Sequence, residues 1–183
     1  MSEDEFVKYV TELIKDDLPE HCEAIQKANL YYQIIADNNL NIKVNLKDPK
    51  RGDSAFQTDL CIFLKQNDLK IPKIVFEFKQ DISTHDIITY SNKAKRHKQI
   101  YPYLRYGLIS YELSTIPKRF FIHNEALDFY LTIKEYKKDL REVLLKLIKE
   151  ELEISKTLES TIFESKRFDF YRKGIEFRNY RYL

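Results

Sequence analysis

The sequence has no tryptophan, one methionine, two cysteines and only three glycines among its 183 residues. The scarcity of glycine excludes the GxGxxG and GxxxxGK loops that cradle phosphates in many nucleotide-binding proteins. Cys22 and Cys61 lack the spacing of metal ligands, and two cysteines so placed do not indicate a disulfide framework. They fit a reducing, intracellular compartment.

Long apolar runs are also missing, since no segment approaches the roughly eighteen consecutive apolar residues of a transmembrane helix. The start, MSEDEFVKYV, is acidic and lacks the basic and apolar regions of a secretory signal. We therefore expect a soluble, cytoplasmic protein with no membrane partner. Aromatic and charged residues are abundant: 12 Phe, 13 Tyr and 33% charged residues, with a net charge of +2. A chain of this length with 43% hydrophobic residues can form one well-buried core.

Hydrophobic periodicity predicts helices in the N-terminal part of the chain and strands after them. The helical spacing favours a first helix over residues 3–17 and a second over 20–38. Alternating patterns predict strands over 40–47, 56–65 and 73–79, separated by a loop at 48–53 and a turn at 66–72. We expect these three strands to form an antiparallel meander.

The second half of the chain is predicted to begin with a helix that is capped by Thr84 and ends near Pro102. His97 falls on its inward stripe, which favours a packed, hydrogen-bonded histidine over a metal ligand. Strands are predicted over 106–113, 119–123 and 128–133, a long helix over 137–159 and a β-hairpin over 167–182. We expect residues 1–135 to form the core, and residues 136–183 to pack on it or on a second subunit.

The predicted C-terminal hairpin is both basic and aromatic, which leaves two interpretations open. Basic and aromatic side chains of this kind contact phosphates and stack on bases in nucleic-acid-binding proteins. In the second interpretation, the aromatic rings belong to a hydrophobic core and the charged side chains only face solvent. The residues concerned are Arg167, Phe168, Tyr171, Arg172, Lys173, Phe177, Arg178, Tyr180 and Arg181.

The strand KIVFEFK carries an acid and a lysine on one face. Because side chains alternate along a strand, Glu77 and Lys79 share a face, while the apolar side chains at 74, 76 and 78 take the other. This pattern alone is typical of an amphipathic strand with one solvated face. Asp59, however, interrupts the preceding strand FQTDLCIFL, although aspartate is depleted from strands. If helices cover that face, Asp59 and Glu77 approach each other in a partly buried site.

Two buried carboxylates need protons, cations or a metal to offset their charge. Mg²⁺ binds one or two carboxylates together with water and substrate phosphate, so Asp59 and Glu77 are candidate ligands, with the backbone carbonyl of Phe78 as a third. Lys79 is placed to orient or deprotonate an attacking water and to offset charge in a phosphorane-like transition state. The pattern therefore predicts Mg²⁺-assisted hydrolysis of phosphodiesters, with Mn²⁺ as a substitute.

The pattern of acidic residues resembles the signature of the PD-(D/E)XK nuclease superfamily. It consists of Asp59, seventeen intervening residues and then Glu77-Phe78-Lys79. Thr58 departs from it, because the proline of the name often stands there. The resemblance covers about residues 20–112. It implies a restriction endonuclease-like α/β core, a central mixed β-sheet flanked by helices in the order α-β-β-β-α-β, with the long helix and the β-hairpin appended. It also implies that a glutamate of the first helix assists metal binding. Glu23 is our candidate, and Glu12 and Glu20 compete with it.

The helix after the ExK strand is basic and is our candidate DNA-binding element. A charged helix face is often only solvated, but beside a metal site such charges contact phosphates and hold the backbone in register. Gln99 and Tyr103 match a Q-x-x-x-Y spacing found in some relatives of the superfamily. The predicted DNA-binding residues are Lys93, Lys95, Arg96, Lys98, Gln99, Tyr103 and Arg105.

The resemblance implies a metal-dependent DNA endonuclease of the restriction type, with Asp59, Glu77 and Lys79 catalytic. A homodimer is implied if both strands of a duplex are cut. The alternatives are a catalytically inactive nucleic-acid-binding or assembly module with the same fold, and a repair or junction-resolving nuclease with the same catalytic core.

Overall fold

The computed structural model describes residues 1–42, 44–52, 54–136, 138–164, 167–172 and 174–178. Four helices and seven strands form in this part of the chain, with a short 3-10 turn after the first helix. In chain order they are α1 Glu3–Ile14, β1 Cys22–Gln26, β2 Asn29–Tyr31, β3 Ala55–Gln57, β4 Leu60–Gln66, β5 Leu69–Lys79, α2 Thr84–Ile100, β6 Arg105–Ser110, α3 Lys118–His123, β7 Phe129–Thr132 and α4 Leu140–Phe163.

A mixed five-stranded sheet organises the fold, in the order β1-β4-β5-β6-β7. β1, β4 and β5 are antiparallel neighbours, whereas β5, β6 and β7 run parallel. Helix α2 makes the crossover from β5 to β6, as a parallel connection requires. β2 and β3 form a separate antiparallel pair. The prediction of an α/β protein with a mixed sheet flanked by helices and a long C-terminal helix is confirmed.

Helices cover both faces of the sheet, so its central strand is buried on both sides. Ile74, Phe76 and Phe78 of β5 pack in one hydrophobic cluster with residues of α1 and α4. Val75 belongs to the second cluster, which includes residues of α2 and α3. Burial of β5 from residue 72 to 78 rules out the solvated face that its alternating pattern allowed, because Glu77 is only 1% exposed.

The helix predicted over residues 20–38 does not form, and two strands occupy its place. β1 pairs with β4 through a register that sets Ala24 opposite Ile62 and Ile25 opposite Cys61. Successive apolar residues thereby enter opposite clusters, with Ala24 in one and Ile25 in the other. His21 and Lys27 adopt positive φ on either side of the strand. Pairing with a distant strand thus overrides the helical spacing.

The strand predicted over 40–47 is also wrong for the residues described there. A single bridge joins Ala36 to Ile42, and Leu40 has a left-handed φ of 62° and is 85% exposed. Asp37 organises the turn, since its carboxylate accepts hydrogen bonds from the backbone amides of Asn39 and Asn41. Local side-chain hydrogen bonds of this kind compete with strand formation.

Other boundaries differ from the predictions. Residues 119–123 lie in the short helix α3 rather than in a strand, and β5 begins at Leu69, inside the predicted turn. The strand predicted over 56–65 breaks between β3 and β4. Ser83, not Thr84, caps α2 through a capping box with Asp86. The strands predicted near 106–113 and 128–133 and the long helices are confirmed as β6, β7, α2 and α4.

The predicted C-terminal β-hairpin is wrong for residues 167–172 and 174–178, which form no strand. Lys173, Tyr180 and Arg181 lie outside the described residues. Phe168, Tyr171 and Phe177 are 65%, 80% and 74% exposed, so these rings do not build a core of their own. No described helix is long and apolar enough to cross a bilayer.

Candidate active site

Asp59 stands at the break between β3 and β4, and backbone contacts hold it there. The Thr58 amide and hydroxyl both donate to the carbonyl of Ala28, at 2.8 and 3.0 Å. The Asp59 carbonyl accepts a hydrogen bond from the Lys27 amide at 3.1 Å. Its side chain turns to β5, where Oδ2 accepts from the Phe78 amide at 2.8 Å. Asp59 is therefore hydrogen-bonded directly to the strand that carries Glu77 and Lys79.

The Glu77 carboxylate lies beneath α2, surrounded by donors. Lys93 of α2 places its Nζ 2.6 Å from Glu77 Oε1 and 2.6 Å from the backbone oxygen of Gln57. The hydroxyl of Tyr106, on β6, donates to the same carboxylate oxygen. Charge-assisted hydrogen bonds of this kind satisfy a buried carboxylate. Lys93, counted among the DNA-binding residues from the sequence, is thus part of the carboxylate site.

The carboxyl groups of Asp59 and Glu77 are in direct contact, which changes the protonation of Asp59. Burial, followed by the negative charge of Glu77, raises the pKa of Asp59 from 3.8 to about 7. The Phe78 amide and the Lys93 ammonium act in the opposite direction. Two crowded carboxyl groups that share a site commonly retain a proton in this way. Without a bound cation, Asp59 therefore carries a proton over much of the acidic range.

Lys79 reaches the same face of the sheet and pairs with Glu3, an acid outside the predicted site. Its Nζ lies 3.0 and 2.9 Å from the two carboxylate oxygens of Glu3 on α1, and 5.7 Å from the centre of the Tyr90 ring. Burial lowers the pKa of Lys79, but the hydrogen bond with Glu3 and the proximity of Tyr90 outweigh it and raise that pKa. Lys79 is therefore a fixed cation at neutral pH, suited to stabilise negative charge rather than to accept a proton.

Glu3 is the N-terminal acid that pairs with the lysine of the ExK pattern, whereas Glu23, the predicted metal-binding glutamate, lies elsewhere. Glu23 lies on β1, opposite Phe63 of β4, and Phe63 is four residues beyond Asp59, or about 13 Å of strand rise. Its carboxylate pairs with Lys65 and Lys70, at 3.1 Å each. The structure therefore does not bring Glu23 to Asp59 and Glu77.

The competing acids lie elsewhere too, since Glu12 pairs with Lys15 and Glu20 with His21. The sequence did contain a signal for Glu3. It precedes the buried residues Val7 and Val10 by four and seven positions, on the inward side of α1.

The remaining predicted DNA-binding residues do not converge on the carboxylates. Lys98 pairs with Asp128 at 2.6 Å, and Arg105 pairs with Asp128 at 3.0 Å and with Glu151 at 2.6 Å. Asp128 and Glu151 are 5% and 9% exposed in their side chains, so this network joins α2, β6 and α4 inside the fold. Its cations already have buried partners.

Four further members of that set lie on α2 or just beyond it. Lys95 pairs with Glu125 at the surface, and Gln99 is exposed. The guanidinium of Arg96 lies 5.8 Å from the Tyr32 ring, and the Tyr103 ring lies 4.6 Å from the Nζ of Lys73. Contact of these residues with DNA stays a prediction.

His97 is packed, as its place on the inward stripe predicted, but neither of its ring nitrogens meets a hydrogen-bond partner among the described residues. It is fully buried, with ring centres 6.0 Å from Phe56 and 5.6 Å from Tyr106. Burial, aided by the charge of Lys93, lowers its pKa to about 3. The imidazole is therefore neutral beside the carboxylate site.

The donors at this site are of the kind that Mg²⁺ uses. Asp59 and Glu77 offer carboxylate oxygens, and the Phe78 carbonyl belongs to the residue whose amide Asp59 contacts. Mg²⁺ commonly takes one or two carboxylates and completes its octahedron with water and phosphate. Among the described residues, no group of three or more His, Cys, Asp or Glu side chains is arranged to hold a metal. The chemistry of the donor set fits Mg²⁺ bound through two carboxylates.

No family model matches this chain, and no curated protein shows significant similarity to it.

Proposed function

We propose that this protein is a Mg²⁺-dependent DNA endonuclease with the restriction endonuclease-like fold of the PD-(D/E)XK superfamily. The observation that carries the proposal is the contact between the carboxyl groups of Asp59 and Glu77, with Lys79 two residues further along the same face of β5. The order of helix, strands, crossover helix and parallel strand around this pair also supports it.

Each residue has a role in the proposed reaction. Asp59 and Glu77 would hold Mg²⁺ together with the Phe78 carbonyl. The bound ion would polarise the phosphate and lower the pKa of a water nucleophile. Lys79, kept cationic by Glu3, lies on the same face and would offset the charge that develops on the phosphate in the transition state. Asp59 must release its proton before both carboxylates can bind the ion, so activity should rise with pH through about 7.

The decisive experiment is a cleavage assay on circular and linear DNA in Mg²⁺ and in Mn²⁺. We expect Lys79→Ala to reduce cleavage by at least about a hundredfold, the usual effect of removing one group that stabilises transition-state charge. Lys156→Ala is the control, because Lys156 lies on the exposed side of α4 and pairs with Glu153. Cleavage by Lys79→Ala at the rate of the parent would contradict the mechanism. Nicked and branched DNA in the same panel would identify a repair or junction-resolving enzyme.

One observation favours a non-catalytic nucleic-acid-binding or assembly module as the second candidate. Both lysines of the site are already paired inside the protein, Lys79 with Glu3 and Lys93 with Glu77. A site whose charges are satisfied in this way is also stable without a reaction to perform. Binding of nucleic acid that survives EDTA, with no cleavage of DNA or RNA in either metal, would establish this alternative.

A further inference from the structure

The signature lysine and the ion-pair partner of Glu77 are different residues. Lys79 is the lysine of the ExK pattern, yet its ammonium binds Glu3 on α1. The cation that neutralises Glu77 is Lys93, which reaches down from the middle of α2 to place Nζ 2.6 Å from Oε1. The Lys93 side chain is 16% exposed and that of Glu77 is 1% exposed. The contact is therefore a buried ion pair rather than a surface one.

Lys93 occupies the position that a metal ion would need at Glu77. Its ammonium lies against the same Oε1 that the Tyr106 hydroxyl contacts, on the side of the Gln57 carbonyl. An ammonium and a divalent cation compete for one carboxylate oxygen, since both need its lone pairs and their charges repel each other. A buried carboxylate that lost the ammonium without gaining another cation would be strongly unfavourable. The folded, metal-free site thus depends on Lys93.

We propose that Lys93 is the resident counter-ion of Glu77, which a divalent metal ion must displace in order to bind. This inference rests on the proposed function, because it takes Glu77 to be a metal ligand. Lys93 keeps the metal-free site folded and at the same time weakens metal binding. It is a positioning residue for Glu77 and sets the concentration of metal ion at which the site becomes occupied.

Tyr90 gives the displaced ammonium a place to go. The Nζ atoms of Lys79 and Lys93 lie 5.7 and 5.8 Å from the centre of the Tyr90 ring. A lysine that leaves Glu77 can therefore move across the ring face while it retains a cation–π contact. The long flexible side chain of lysine permits this movement without a shift of α2.

The test compares metal-dependent stabilisation in three variants at about pH 8, above the pKa of Asp59. Lys93→Gln removes the charge but leaves an amide that can donate to Glu77. Lys93→Arg retains the charge. Lys98→Gln is the matched control, because Lys98 also lies on α2 and pairs at 2.6 Å with a buried carboxylate, that of Asp128. Melting temperatures are measured against Mn²⁺ concentration, since a ligand that binds only the folded state raises them.

We expect Lys93→Gln to show the same rise in melting temperature as the parent at a Mn²⁺ concentration at least about tenfold lower, because a unit charge a few ångströms away has been removed. Lys93→Arg and Lys98→Gln should respond as the parent does. An equal, measurable response of Lys93→Gln and the parent would overturn the counter-ion role and leave the metal site intact. A complete lack of response in both would overturn the metal site as well, and with it the proposed function.

A second measurement uses the parent protein alone, for the case in which Lys93→Gln does not fold. Reductive methylation followed by peptide mass spectrometry reports how accessible each lysine amine is. Addition of Mn²⁺ should increase labelling of Lys93, because the ion displaces its ammonium from Glu77, and should leave labelling of Lys98 unchanged. Protection of Lys93 that does not change at Mn²⁺ concentrations that stabilise the protein would refute the displacement.

Discussion

Replacing Asp59 with asparagine should change how the stability of the metal-free protein depends on pH. The pKa of Asp59 is raised from 3.8 to about 7 by burial and by Glu77. The folded state therefore holds this proton more tightly than the unfolded chain does. The proton stabilises the folded state fully below pH 3.8, and this contribution is lost as the pH rises through about 7. The side-chain amide of the Asp59→Asn variant has no such proton to release, so the variant lacks this loss of stability.

The size of the effect follows from the width of that pH window. At about 1.4 kcal/mol for each pH unit between 3.8 and about 7, the parent loses roughly 4 kcal/mol that Asp59→Asn does not lose. A chain of this length changes its melting temperature by about 2–4 °C for each kcal/mol. The difference between Asp59→Asn and the parent should therefore grow in favour of the variant by roughly 10 °C from acid to mildly alkaline pH. The contributions of the other ionisable groups to the pH dependence largely cancel in this difference, because both proteins carry them.

The assay is thermal unfolding of both proteins in EDTA across this pH range, followed by circular dichroism. Asp68→Asn is the control, because Asp68 is exposed in the turn between β4 and β5. Its replacement should change stability by no more than about 0.5 kcal/mol, as is usual for surface positions. A difference between Asp59→Asn and the parent that does not change with pH would refute the inferred crowding of the two carboxyl groups.

Two further predictions concern the packing around the sheet. A methyl group at Gly107 would lie 1.9 Å from the Phe129 ring, so Gly107→Ala should lower the free energy of unfolding, measured in urea, by roughly 1–3 kcal/mol. Gly174→Ala is the control, because a methyl group there has nothing within 4 Å. Equal stabilities of the two variants would contradict this prediction. The Lys73 side chain is fully buried, and its partner Glu159 is 33% exposed. Glu159→Gln should therefore lower the free energy of unfolding by about 3 kcal/mol, because it leaves the buried ammonium of Lys73 without a counter-charge. Lys73→Met should lower it much less, because it removes the buried charge itself. The opposite order in urea unfolding would show that the glutamate carries the burial penalty.

The parts of the fold set by local pattern could be predicted from the sequence. The period-two alternation in β5 placed Glu77 and Lys79 on one face, and the structure packs the other face against α1 and α4. Asp59 pointed to Glu77 because aspartate is depleted from strands, although the structure places it at the break between β3 and β4 rather than inside a strand. Helix α2 and the long helix α4 were also predicted, because the apolar stripe of each helix lies entirely within its own segment of the sequence.

The parts that depend on distant partners could not be predicted. β1 exists because it pairs with β4, about forty residues later, and nothing within residues 20–38 outweighs their helical spacing. The pairing of Glu3 with Lys79 joins residues 76 positions apart, and that of Lys93 with Glu77 depends on how α2 crosses the sheet. Sequence spacing indicated the basic character of α2 but not which lysine faces inward.

The charges of the site suggest how it stays buried both with and without a metal. In the metal-free state the pair formed by Asp59 and Glu77 is neutralised by one proton and by the Lys93 ammonium. Both carry a single positive charge, and together they equal the charge of one divalent cation. Under the proposed exchange, metal binding releases the proton and moves the ammonium onto the Tyr90 ring, so the positive charge in direct contact with the two carboxylates stays the same. A buried site can make this exchange without a large change in electrostatic energy, whereas loss of either cation alone would leave an uncompensated carboxylate.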